Sequence, residues 1–378
     1  SKRNAQTIDK RPSVKKETKN KIKVDFERTP LKDRLKAKFA TFTFVKNVIW
    51  YIFRFVLLVG ISYVVLYPFF TKVASSFMSP NDFVDVTVKI IPKEFTLKTY
   101  KAIIVDLHYF KAFLNTFLLS FSSAIIQTFV CCLIGYGLAK FKFKGNKAIF
   151  IAVVFSMIIP HQTLQYSMYL NFRYFDVLGI FQFLGGGGFN IFGHKILEGI
   201  RVFPESWERF TDQGINLCNS FWPLILLSLS GLAFKNGLYV FLLRQFFKGV
   251  PDELEESAYI DGSNTFRTFI QIIIPLSVPM LITVFLFAFS WQWTDIFYTS
   301  TFMPSADTIL LTSSKFWQTM PPTLDTLSSL VTNYAGQNMY YSAIRNTCGI
   351  LIILPLVILY LFCQRYIVQG IERSGITG

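Results

Sequence analysis

The stretch Pro251-Asp252-Glu253-Leu254-Glu255-Glu256-Ser257-Ala258-Tyr259-Ile260-Asp261-Gly262, closing on Ile272-Ile273-Ile274-Pro275, decides how the rest of the chain is read. It is a hydrophilic, acidic segment lying between two long apolar ones. Pro251 suits a first helical position, where its missing N–H costs nothing. Asp252, Glu253, Glu255 and Glu256 crowd the first turns, where the helix dipole favours negative charge. Gly262 stands where the helix should stop, since glycine takes a left-handed conformation cheaply. Ser263 or Asn264 can cap a second helix carrying Phe266, Phe269, Ile270 and Ile273 at helical spacing. An ordered, capped helix-turn-helix between membrane spans implies that something docks there.

The apolar segments fix the fold class. The chain has 378 residues, 52% hydrophobic and 17% aromatic, with 42 Phe. Six segments are long and apolar enough to cross a bilayer: about 48–70, 114–139, 148–170, 221–247, 275–298 and 342–367. The expected fold is all-α, a polytopic membrane protein with six transmembrane helices. The net charge is +15. Residues 1–47 hold fifteen Lys or Arg against five Asp or Glu. This stretch reads as a basic tail meeting anionic lipid, ahead of a 48–378 membrane domain. Nucleic acid is a poor alternative partner, because the tail leads into a span. Lysines 140, 142, 144 and 147, then Arg244, Lys248 and Arg267, then Arg365 and Arg373, mark cytoplasmic loops by the positive-inside rule. Both termini and the 250–274 loop are therefore expected in the cytoplasm.

Spacing now brings in a family. Glu256-Ser257-Ala258, three residues, Gly262, nine residues, Ile272, one residue and Ile274-Pro275 resembles the Glu-Ala-Ala motif of inner-membrane permease subunits of binding-protein-dependent ABC importers. Ser257 replaces Ala and Ile274 replaces Leu, both small changes. Gln364-Arg365-Tyr366-Ile367-Val368-Gln369-Gly370, with a final Gly378, resembles the end of the second permease subunit of maltose-type carbohydrate importers. Trp293-Thr294-Asp295 resembles a Trp-Asn-Asp stretch of that group.

The resemblance implies a type I ABC importer permease fold and a loop at about 250–274 that sits in a cleft of a cytoplasmic ATPase. The residues implied in coupling are Glu255, Glu256, Ser257, Ala258, Asp261, Gly262, Ile272 and Pro275. It also implies a second permease subunit in a heterodimer, two ATPase subunits and an extracytoplasmic sugar-binding protein. The implied site is the bacterial plasma membrane. No GxxxxGK[ST] motif occurs, so ATP and magnesium belong to the partner ATPase and this chain is expected to bind no cofactor and to be no enzyme. The implied substrate is a carbohydrate, of the oligosaccharide class. A non-sugar solute is the first alternative, and a membrane-embedded enzyme or channel the second.

Candidate substrate-path residues are Trp291, Gln292, Trp293, Asp295 and Asn236. Aromatic faces pack on the C–H faces of a sugar, while Asp, Asn and Gln bond hydroxyls. The bland reading is an interfacial aromatic belt. Lys235 beside Asn236 either faces the bundle interior or snorkels to an interface. Pro160 is expected to kink the third span. The loop at about 171–220 reads as an insertion hinged on Gly185-Gly186-Gly187-Gly188. Five scattered cysteines and three distant histidines make no disulfide or metal pattern.

Overall fold

A computed structural model describes residues 42–178, 180–184, 189–191, 194–197, 209–211, 213–305, 309–324 and 334–375. The tail before residue 42, the glycine run at 185–188 and Gly378 lie outside the described residues. The chain divides into two units, Ser1–Pro68 and Phe69–Gly378. The first helix, α1 (Phe42–Ser75), carries the boundary, with Pro68 inside it.

In the second unit the helices are α2 (Lys98–Asp106), α3 (Tyr109–Lys140), α4 (Asn146–Ile158), α5 (Gln165–Arg173) and α6 (Ile180–Leu184). Two short antiparallel hairpins follow, β1 (Phe189–Ile191) with β2 (His194–Leu197), and β3 (Phe210–Thr211) with β4 (Gly214–Ile215). Then come α7 (Trp222–Leu229), α8 (Asn236–Lys248), α9 (Glu253–Ile260) and α10 (Thr265–Thr268). A π segment (Phe269–Ile273) joins α10 to α11 (Ile274–Trp293), and α12 (Phe297–Phe302), α13 (Ser314–Trp317) and α14 (Tyr334–Gly375) complete the order.

Among the described residues, four helical stretches are long and apolar enough to cross a membrane: Lys46–Ser75, Tyr109–Lys140, Thr265–Trp293 and Gly336–Val368. A fifth crossing is a broken pair, Asn146–Ile158 with His161–Arg173, bent by 93°. Hydropathy treats 148–170 and 221–247 as single spans, and the structure breaks both. Pro160 supplies the first break, since it has no N–H for the helix and disfavours helical backbone before it. The second lies between α7 and α8, where Gly231 and Lys235 both adopt positive φ (+74° and +68°). A left-handed lysine ends α-helical propagation as surely as proline.

The core is built on α3. Phe113, Phe117 and Phe121, four residues apart, line one face of that helix. They meet Trp293, Phe289 and Phe285 of the antiparallel α11 edge-to-face, at 5.4, 6.1 and 5.8 Å between ring centres. Such pairs add about 0.5–1.5 kcal/mol each beyond simple burial. The phenylalanine excess is thus partly a packing ladder. On another face α3 approaches α8 closely, because a Cβ on Gly135 would stand 2.9 Å from Leu243 Cβ. Tyr109 at the opposite end donates from its hydroxyl to the Leu351 carbonyl at 3.0 Å, tying in α14.

The hairpins sit within the expected insertion. Its base is pinned: Phe175 and Ile215 exchange backbone hydrogen bonds of 2.9 Å in both directions, and Leu217 N donates to the Phe172 carbonyl at 2.9 Å.

Candidate functional site

The helix-turn-helix exists, with small changes to the reading of its ends. The helix α9 begins at Glu253 after Asp252, two residues later than Pro251 suggests. Its C-terminus is a Schellman closure: Ser263 N donates to Ala258 O at 2.9 Å and Gly262 N to Tyr259 O at 3.1 Å. Gly262 holds φ +83°, and nothing lies within 4 Å of where its Cβ would be. The glycine is required by backbone conformation alone, not by space. Of the two possible caps for the second helix, Asn264 is used. Its Oδ1 accepts from Arg267 N at 2.8 Å.

Pro275 stands in the first turn of α11, but no break in the helix precedes it. The helical stretch Thr265–Trp293 is continuous, and the π segment precedes the proline. Proline has no N–H to give the carbonyl four residues back, and its ring crowds that carbonyl, so the wider π turn accommodates it. Ile272 is half-buried, Ile273 fully buried and Pro275 exposed. The second helix of the turn therefore runs on into α11 as one helical stretch.

The acidic residues divide sharply. Glu253, Glu256, Ser257, Asp261 and Gly262 are exposed. Glu255 and Ala258 face inward, Glu255 being 7% exposed. The buried carboxylate has a partner that sequence reading missed. Lys140, the last residue of α3, stands 3.8 Å from Glu255 Oε1, donates to Asp252 Oδ1 at 2.5 Å and donates to the Val250 carbonyl at 2.6 Å. The hydrogen bond from Lys140 holds the Asp252 carboxyl below its usual range. Burial pushes the Glu255 carboxyl up, and Lys140 only partly opposes it. Beyond these, the tip presents apolar side chains to the outside: Ile260 is 86% exposed and Phe266 71%. Two bare apolar side chains thus stand beside exposed carboxylates on one turn.

The substrate-path candidates separate just as clearly. Trp291 is 45% exposed and lies edge-on to Phe234 at 5.3 Å. The Lys235 ammonium stands over the Trp291 ring at 4.9 Å and the Phe234 ring at 4.6 Å. Neither reading of Lys235 fits alone, for it sits in the α7–α8 break against aromatic faces. Trp291, Gln292 and Asp295 share a small cavity with Gln127, Phe234 and Tyr298. A cavity of about 460 Å³ adjoins it, sharing Phe234, lined in part by Phe172, and reaching His161 and Lys235 at the two helix breaks.

Trp293 does not belong to that group. It is 1% exposed, and its Nε1 donates to the Ile352 carbonyl at 2.9 Å. A two-residue step along a helix turns the side chain about 200°, so Trp291 and Trp293 face opposite ways. Asp295 is committed to local structure: its carboxylate accepts from Tyr298 N at 3.1 Å and Thr299 N at 3.0 Å, starting α12. Asn236 is fully buried at the first turn of α8, and its side-chain amide has no hydrogen-bond partner among the described residues. It lines neither cavity. His161, which sequence reading set aside, contacts the Tyr298 hydroxyl through Nδ1 at 2.5 Å.

Residues 132–373 match the family of binding-protein-dependent transport system inner membrane components. The chain belongs to this family. It is a multi-pass membrane permease, a transport subunit rather than an enzyme. Relatives include the inner membrane ABC transporter permease protein YcjP of Escherichia coli (strain K12), 24% identical over 83% of this chain and 92% of its own length. Another is the galactooligosaccharides transport system permease protein GanQ of Bacillus subtilis (strain 168), 24% identical over 88% of this chain and 98% of its own. In fold, the chain is similar to a chain of a bacterial ABC transporter involved in import of the acidic polysaccharide alginate (TM-score 0.61, 18% identity, covering 85% of this chain and 97% of that one). As a component of a binding-protein-dependent system, this permease works with an ATPase and a substrate-binding protein.

Proposed function

We propose that this permease moves a carbohydrate of oligosaccharide size into a bacterial cell by alternating access, paired with a second, related permease, two ATPase subunits and an extracytoplasmic sugar-binding protein. ATP and magnesium bind the ATPase. The observation that carries the proposal is the α9–α10 tip, an exposed apolar turn whose second helix runs on continuously into α11. Closure of the ATPases displaces this lever, and α11 tilts with it. Glu256, Ser257, Asp261 and Gly262 form or border the docking surface, while Glu255, Ala258, Ile272 and Pro275 set its position. The carbohydrate class draws on the similarity to the galactooligosaccharide permease. The path lies along Trp291 and Gln292 beside the larger cavity, where the half-exposed Trp291 ring offers a surface for a sugar ring. The chain crosses the membrane six times, each broken pair counting as one crossing, with both termini in the cytoplasm.

Two experiments test this. In proteoliposomes holding the complete transporter, galactotriose is taken up only with ATP inside and binding protein outside. Uptake of a dipeptide in its place contradicts the carbohydrate reading. For topology, the native thiols are poor reporters: Cys131, Cys132, Cys218 and Cys348 are buried, and burial pushes the Cys218 thiol up. Cys218 in the insertion is therefore not the accessible outer thiol its loop position suggests. Val86, 91% exposed, is the better site. An impermeant maleimide added to intact cells labels Val86→Cys and leaves Ile260→Cys unlabelled. The reverse pattern inverts the topology.

A further inference from the structure

The end of α3 meets the docking loop at one buried ammonium. The Lys140 side chain is only 6% exposed, although it ends a run of apolar helix beside a lysine-rich loop. A lysine is withdrawn from water at a cost unless oxygen atoms replace the lost hydration. Three do so here: the Val250 carbonyl, Asp252 Oδ1 and, farther off, Glu255 Oε1. Around them, Tyr136 of α3 packs on Phe247 at the end of α8 (5.5 Å) and on Phe269 of the π segment (4.7 Å). The docking loop is thus held to the membrane helices by two routes. One is covalent, through α10 and the π segment into α11. The other is this polar contact, reaching a helix 110 residues away in sequence.

The two routes converge on the same packed pair. The phenylalanine ladder of α3 interlocks with α11, and Gly135 brings α3 hard against α8. Were only the covalent route present, a push on α9 would bend the loop about Gly249–Pro251 and move α11 relative to α3. With Lys140 in place, α9 and the end of α3 move as one piece.

We propose that Lys140 is a positioning residue for energy coupling: it clamps α9 to α3 through Val250, Asp252 and Glu255, so that displacement of the docking tip moves α3 and α11 together. This rests on the reading of α9–α10 as the ATPase-docking element. A packing residue would merely alter yield. A clamp alters the sugar moved per ATP.

The experiment uses the complete transporter in proteoliposomes, with wild-type chain, Lys140→Met, Lys140→Arg and Asp252→Asn. Assembled complex, ATP hydrolysis and galactotriose uptake are measured on the same preparations. Lys140→Met assembles and continues to hydrolyse ATP, but uptake per ATP falls roughly tenfold, as loss of a charged hydrogen-bonded contact implies. Lys140→Arg, which keeps the charge and donors, restores most of it. Asp252→Asn, at an exposed position where folding is not at risk, lowers the ratio in the same direction by a smaller factor. An unchanged ratio in Lys140→Met and Asp252→Asn overturns the proposal. So does loss of assembled complex in Lys140→Met together with a normal ratio in Asp252→Asn, which makes Lys140 a packing residue. If the wild-type chain itself fails to hold an ATPase, the docking reading fails first, and the two failures are told apart.

Discussion

Replacing Ile260 and Phe266 together with aspartate abolishes ATP-driven uptake while leaving the chain folded and inserted in the membrane. These are the most exposed large apolar side chains of the α9–α10 tip. Neither touches the packing that holds the tip in place. The Schellman closure at Gly262 and the Asn264 cap are backbone features and survive the change. Buried apolar anchors at the centre of an interface are worth about 2 kcal/mol or more each. Losing two of them, and placing carboxylates where an ATPase cleft expects apolar groups, weakens docking by three orders of magnitude or about 4 kcal/mol. Copurified ATPase per permease measures the effect directly. Each single substitution retains part of the binding. A double variant that copurifies its ATPase normally removes the tip from the interface.

Trp293→Ala destabilises the chain by about 3–5 kcal/mol, the usual cost of deleting a buried aromatic side chain. It abolishes the edge-to-face contact with Phe113, the neighbouring ring of Phe289 and the hydrogen bond to the Ile352 carbonyl. The expected outcome is a large fall in folded, detergent-extractable protein, with the surviving fraction showing an unchanged half-saturating sugar concentration. Trp291→Ala does the opposite. It preserves yield, since Trp291 is half in the open, and raises the sugar concentration needed for half-maximal uptake. Size-exclusion yield and uptake kinetics on the two variants separate the roles. A Trp293→Ala protein that folds normally and binds sugar poorly reverses the assignment.

These two results also mark where sequence reading worked and where it stopped. The helix-turn-helix was legible because its residues have conformational reasons to be where they are: glycine at a left-handed position, asparagine as a cap, acids in a first helical turn. Which acid turns inward was not legible. Helix α9 is eight residues long with three acids in its first turn, so Glu255 and Glu256 differ by 100° of rotation, which only the position of α3 resolves. Lys140 was one of four clustered lysines, and nothing local distinguished the one that is buried. The spans were legible as apolar lengths, but hydropathy averages over a break. Pro160 announced the first of these, whereas the α7–α8 break depends on positive φ at Gly231 and Lys235, and lysine carries no such signal. Trp291 and Trp293 were grouped by proximity along the chain, although helical periodicity alone puts them on opposite faces. The hairpins of the insertion are too short, at two to four residues a strand, to leave an alternating pattern.

The central claim is that the α9–α10 tip meets the ATPase and moves with it. A photoreactive phenylalanine analogue placed at position 266 in the assembled transporter tests it most directly. The account predicts a light-dependent adduct between this chain and the ATPase, whose yield changes when ATP is replaced by ADP, and no such adduct from position 86. An ATPase adduct from position 86, or none from position 266 in a complex that hydrolyses ATP and imports sugar, contradicts it.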